Sequence, residues 1–297
     1  MRFDDYRTSS NVEDRGRGGG FGGGGAGGLL MLAPMLIRFV FSRFGIVGVL
    51  VLAVLFFLLM GNPFGGGGQQ SASSQSGSVQ SPEQVCAADS VVAFSCRVLA
   101  STEDTWAAIF SQAGSRYEAP RMVVYDRDTN TACGLGQSAM GPFYCPTDRR
   151  IYIDPQFFRE LAERHGAPGD FAQAYVIAHE VGHHVQASTG TADRIRAVQA
   201  RGGEREGNAL QVRMELQADC YAGLWAARSR ERMESGDLEE GMTAAAAIGD
   251  DTLQRAGQGH VVPESFTHGT AAQRQEALLR GFQSGDPAAC EAYTAGI

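Results

Sequence analysis

His179, Glu180 and His183 stand in the order His-Glu-Val-Gly-His. On a helix, positions four apart lie one turn from each other on the same face, so both imidazoles can reach one metal ion at about 2.0–2.1 Å. Glu180 projects beside them, placed to take a proton from water. Zinc lowers the pKa of a bound water to about 7, which makes hydrolysis at neutral pH accessible to this spacing. The neighbours Val176, Ile177, Ala178, Val181, Gly182 and Val185 are uncharged. A His-Glu-His set carried into an apolar helix without a metal would leave a costly buried carboxylate.

A catalytic zinc needs a third protein ligand and an open fourth position. The metzincin extension fails, because Gln186 stands where Gly is expected and Thr189 where the third His should be. Asp193 lies at a spacing used by aspartate-zincins, but the Tyr-Gly that should follow is absent. Glu215-Leu216-Gln217-Ala218-Asp219 is the better match, and it resembles the ExxxD arrangement of thermolysin-like gluzincins. One helical turn separates its two carboxylates. Glu215 can bind zinc while Asp219 accepts the N–H of a ligand imidazole, with His179 the expected partner. His268 is a candidate for stabilising the oxyanion, with Arg274 behind it. His184 is off the metal face and reads as structural.

These residues need elements to hold them. Residues 99–113 read as a helix capped by Ser101 or Thr102, and 121–126 and 151–154 as strands. Pro155 opens a helix to about His165. Asp170 caps the helix that carries the zinc motif, which ends before Gly190. Residues 205–233 form a long helical pattern, Gly236 to Gln254 one more, and Thr270 to Phe282 the last. Helices outnumber strands and mostly follow them, so the expected fold is α+β, mainly helical with a small sheet. The stretches Gly141–Cys145 and Ile151–Asp154 are where an edge strand for an extended peptide is expected, with ordinary core strands the alternative.

Composition divides the chain further. Residues 1–29 are expected to be a disordered Gly/Arg-rich segment and 65–82 a Gly/Ser/Gln-rich linker, because neither has enough apolar side chain to offset ordering. Residues 30–64 are expected to form a membrane anchor with a core span of about 44–64, long enough to cross a bilayer as a helix. Arg38 and Arg43 precede the span and no charge follows until Glu83. The positive-inside rule then puts the N-terminus in the cytoplasm and residues 83–297 in the periplasm or outside the cell, as a single-pass membrane protein. All six cysteines (Cys86, Cys96, Cys133, Cys145, Cys220, Cys290) lie beyond the span, an even count suited to disulfides. Fifteen pairings are open. Cys86 with Cys96 and Cys133 with Cys145 make plausible local loops, which leaves Cys220 with Cys290. The net charge of −8 disfavours nucleic acid as a partner.

The segments AHEVGHHVQ, MELQADCYAGLWA, AAAAIGDD, ESFTHGTAAQR and GPFYCPTDRRIYID together resemble the bacterial "putative neutral zinc metallopeptidase" family, the YpfJ-like proteins. The resemblance spans essentially the whole chain. It implies a zincin-type fold, Zn2+ as cofactor, and hydrolysis of a peptide or protein substrate with Glu180 as general base. Two rival readings are a zinc-binding, non-catalytic tethered interaction module and a zinc hydrolase acting on a non-peptide amide. An intact Glu180 argues against the first, since a structural site has no need of a base.

Overall fold

A charged hexapeptide assigned by composition to disorder is instead a β-strand. In the computed structural model, which describes residues 1–17 and 80–297, Val12–Arg17 forms β1. Strand formation here is dictated by a partner far away in sequence rather than by local pattern. β1 lies parallel to β2 (Arg121–Asp126), pairing Val12 with Met122, Glu13 with Val123 and Asp14 with Val124. The expectation of disorder is therefore corrected for residues 1–17. The anchor core at 44–64 and the linker up to residue 79 lie outside the described residues. Among the described residues, no helix is long and apolar enough to cross a membrane.

After the short helix α1 (Pro82–Cys86) comes α2 (Ser90–Gln112). Its cap is Asp89, whose carboxylate accepts from the N–H groups of Val91 and Val92. The helix thus begins nine residues before the expected start. Ser101 and Thr102 sit buried inside it, Thr102 donating to the Leu99 carbonyl and Ser101 accepting from the Trp225 indole.

β2 is followed by a hairpin, β3 (Asp128–Thr131) and β4 (Gly134–Gln137), then by β5 (Phe143–Cys145) and β6 (Arg150–Ile153). The main sheet has the order β1-β2-β6-β5, with β2 and β6 parallel and β5 antiparallel to β6. Ile151, Tyr152 and Ile153 are buried core residues, so the 151–154 stretch is interior, and β5 is the strand at the sheet edge.

The helices follow: α3 (Gln156–Arg164), α4 (Asp170–Ser188), α5 (Thr191–Gln199) and α6 (Glu204–Arg228). α7 (Asp237–Ala247) and α8 (Asp250–Gln258) replace the single helix expected there. The break falls at Gly249, whose backbone is extended and approaches Ala271 so closely that a Cβ would come within 2.4 Å of the Ala271 backbone N. α9 (Ala271–Ser284) starts from a capping box of Thr270 with Gln273, and α10 (Pro287–Glu291) ends the described elements. Three disulfides staple the fold: Cys86–Cys96 and Cys133–Cys145, the two local loops, and Cys220–Cys290, the pair they leave.

Two close helix contacts decide where the site residues meet. Gly182 of α4 lies against Ala218 of α6, where an added Cβ would stand 3.0 Å from the Ala218 Cα and O. Small residues here let the zinc-motif helix approach the Glu215 helix. α6 and α9 cross through Gly223 and Gly281; a Cβ on Gly281 would fall 1.9 Å from the Cys220 carbonyl oxygen. Gly281→Ala is expected to lower stability by roughly 1–3 kcal/mol, because backbone must move to admit a methyl. A urea melt reads this directly, and an unchanged midpoint would show that the two helices part without cost.

Candidate metal centre

α4 is buried on nearly every side, which is why its sequence reads as apolar around its polar motif. His179 and His183 project from it toward Glu215 on α6. His179 Nε2 lies 3.2 Å from Glu215 Oε2, His183 Nε2 lies 3.4 Å from the same oxygen, and the two Nε2 atoms are 3.1 Å apart. Bonds of about 2.0–2.1 Å in a tetrahedron put ligand atoms roughly 3.3–3.4 Å from one another. The triangle fits that geometry.

The protonation pattern fits it too. Asp219 Oδ1 lies 2.7 Å from His179 Nδ1, and a carboxylate can only accept, so that nitrogen carries the proton. Gln186 donates its amide N–H to the Met214 carbonyl and the Gln217 side chain, which turns its oxygen toward His183 Nδ1 at 2.9 Å. His183 Nδ1 is then a donor as well. With both Nδ1 atoms protonated, neutral imidazoles present two bare Nε2 lone pairs and a carboxylate oxygen to one point. A metal cation at that point satisfies all three acceptors at once.

The charges around that point are consistent. Burial disfavours a charged His179, but the Asp219 carboxylate beside it outweighs burial and lifts its pKa to about 10. His183 is likewise raised, burial being overcome by Glu215. Asp219 is brought down to about 2 despite burial, by Arg274 and His179, and Glu215 is held well below the usual carboxylate range by the two imidazoles. The carboxylates of Glu215 and Asp219 make this point negative, which favours a cation there, and a metal ion binding to the imidazoles would displace the protons they hold. Glu180 differs from the other carboxylates. Burial dominates and raises its pKa, and no group among the described residues donates a hydrogen bond to it.

Asp219 is the hub of the inner support. Its Oδ1 accepts from His179, from the Tyr175 hydroxyl at 2.5 Å and from Arg274 at 2.9 Å, and its Oδ2 accepts a second Arg274 bond at 2.9 Å. Arg274 is 2% exposed and also donates to the Tyr175 hydroxyl and the Ile248 carbonyl. Its guanidinium is held by Asp219, and Arg274 also lines the cleft over the centre. Tyr175 and Gln186 escaped the sequence reading, although they stand four residues before His179 and three after His183, at spacings that put them on the same helix face.

A cleft of about 860 Å³ opens over the centre. Its walls include Glu180, Phe143 and Tyr144 of the edge strand, Met140, Leu253 and His268. His268 is half-exposed on the wall, with its Nδ1 3.3 Å from Asp250 Oδ1. The Asp250 carboxylate holds that loop by accepting the backbone N–H groups of Thr267, His268 and Gly269. Asp193 does not join the centre; it is exposed and pairs with Arg196 at 3.1 Å.

His184 faces away from His179, His183 and Glu215, as its position on the helix requires. One ring nitrogen donates to the Glu118 carbonyl at 2.7 Å and the other accepts from the Tyr144 hydroxyl at 3.1 Å, tying α4 to the edge strand. Burial lowers its pKa from 6.5 to about 4. Between those values the unfolded chain binds a proton that the folded chain does not, so stability falls as pH drops from about 6.5 toward 4, by roughly 3 kcal/mol at most. Denaturant melts across this range should lose that component in His184→Gln. Equal slopes in the two proteins would contradict the assignment.

The family described as "Putative neutral zinc metallopeptidase" matches residues 1–293. The Escherichia coli (strain K12) "Uncharacterized protein YpfJ" is 44% identical in an alignment of 307 residues covering 100% of each chain. The Mycobacterium tuberculosis (strain ATCC 25618 / H37Rv) "Uncharacterized protein Rv2575" is 39% identical over 213 residues, 67% of this chain and 71% of that protein. No solved structure matches.

Proposed function

This chain belongs to the putative neutral zinc metallopeptidase family, and we propose on that premise that it hydrolyses peptide bonds with a zinc ion held by His179, His183 and Glu215. The observation that carries the proposal is the convergence of three metal-donor atoms beside Glu180, a buried carboxylate that faces the cleft and has no hydrogen-bond donor among the described residues. Zinc supplies Lewis acidity, polarising a carbonyl and acidifying water. Glu180 takes the proton from the attacking water and delivers it to the leaving amine. A pKa raised by burial suits both transfers. His268, steadied by Asp250, stands on the cleft wall to donate to the developing oxyanion. Tyr175, Arg274 and Asp219 hold the His179 ring with Nε2 toward the metal. The apolar sequence at 44–64 supports attachment of the enzyme to a membrane.

The test uses the full chain in detergent. Bound metal is measured, and a mixed peptide library is digested before chelation, after chelation and after zinc is restored. About one zinc per chain is expected, with cleavage lost on chelation and recovered with zinc. A protein that holds its zinc and cleaves no peptide would sink the peptidase reading and favour the non-peptide amide or binding-module alternatives.

A further inference from the structure

The first 17 residues are part of the body that carries the metal centre. Met1, Phe3, Ser9 and Val12 are buried in it. The Phe3 ring stacks on Trp225 at 6.3 Å and meets Phe94 and Tyr6 edge-on. Trp225 belongs to α6, the helix of Glu215 and Asp219, so this contact backs the metal helix directly. Polar contacts make the segment harder to remove. Glu103 is a carboxylate buried inside α2, and its hydrogen bonds come from Ser9 at 2.5 Å, Asn11 at 2.9 Å and Arg7 at 3.0 Å. Without residues 7–11 a charge would be left in the fold with none of these partners.

The apolar run at 44–64 lies between this segment and residues 80–297. If that run crossed a bilayer once, the β1–β2 ladder, the Phe3–Trp225 stack and the Glu103 cluster would each be divided between two compartments. Arg38 and Arg43 favour a cytoplasmic N-terminus, but such a bias acts at insertion and offers nothing to Glu103 or β2 afterwards. All six cysteines are paired in disulfides, which form and persist on the oxidising side. We infer that residues 1–17 and 80–297 share one compartment, the oxidising one. This inference does not depend on the proposed peptidase activity.

Cysteine labelling in bacterial spheroplasts tests it with the full chain. Ser10→Cys and Ala200→Cys both place a thiol at an exposed position. With a membrane-impermeant maleimide, both should label to a similar extent in intact spheroplasts. Labelling of Ala200→Cys in intact spheroplasts, with Ser10→Cys reached only after lysis, would overturn the inference. Labelling of both only after lysis would overturn the oxidising address. Packing is checked separately by Phe3→Ala in the purified full chain, which should lower Tm by about 10 °C; an unchanged Tm would mean that the segment does not belong to this body.

Discussion

Glu180→Gln should lower kcat/KM by about 10²- to 10⁴-fold while zinc content stays at the wild-type level. Gln keeps the size and shape of the side chain and loses the ability to accept a proton. Its neighbours have no need of the charge for folding, since burial already disfavours it and no group among the described residues donates to it. The three metal-donor atoms come from other residues, so occupancy should survive. Parallel measurement of metal content and peptide cleavage separates the outcomes. Wild-type activity in the variant would remove Glu180 from the chemistry, and loss of zinc would make its role structural.

The second large effect concerns the third ligand. Glu215→Ala should weaken zinc binding on the order of 100-fold or more, because it removes a carboxylate that bears on both imidazoles, whereas loss of an outer partner of a ligand costs about 10–100-fold. Glu215 is held ready for this role: its other oxygen accepts from the Gln211 amide at 2.8 Å. Asp193→Ala is the control, an acidic residue at a spacing used by other zincins but exposed and paired with Arg196. It should bind zinc like wild type in competition with a chromophoric chelator. If Asp193→Ala loses zinc and Glu215→Ala does not, Asp193 and not Glu215 is the third ligand.

Local patterns account for the parts of the site that were legible in sequence. His179 with His183 and Glu215 with Asp219 are pairs one turn apart, and helical periodicity alone puts each pair on one face. That α4 and α6 pack against each other required the resemblance, since nothing local announces the Gly182–Ala218 contact. The hold of Arg274 on Asp219 was not legible, because 55 residues separate the two along the chain. β1 was missed for a related reason. Val-Glu-Asp-Arg-Gly-Arg has neither apolar alternation nor a strong strand propensity, and its strand character comes from β2, more than a hundred residues away. The start of α2 was misread because Ser101 and Thr102 resemble caps but satisfy buried contacts inside the helix, while Asp89 caps it.

The composition of β1 also bears on how the molecule avoids its own kind. β2 is lined by buried apolar residues, Met122 to Tyr125, and without a neighbour it would expose a flat row of backbone donors and acceptors. Such an edge is a template for pairing between copies and for aggregation. β1 covers it and substitutes an outer rim of Glu13, Asp14 and Arg15, with a register irregularity between Asp14 and Arg17, features that discourage a further strand from docking. The opposite edge is only three residues long and is tethered at Cys145. A chain trimmed to begin at residue 80 would therefore keep every metal-donor residue and still be prone to precipitate through its sheet.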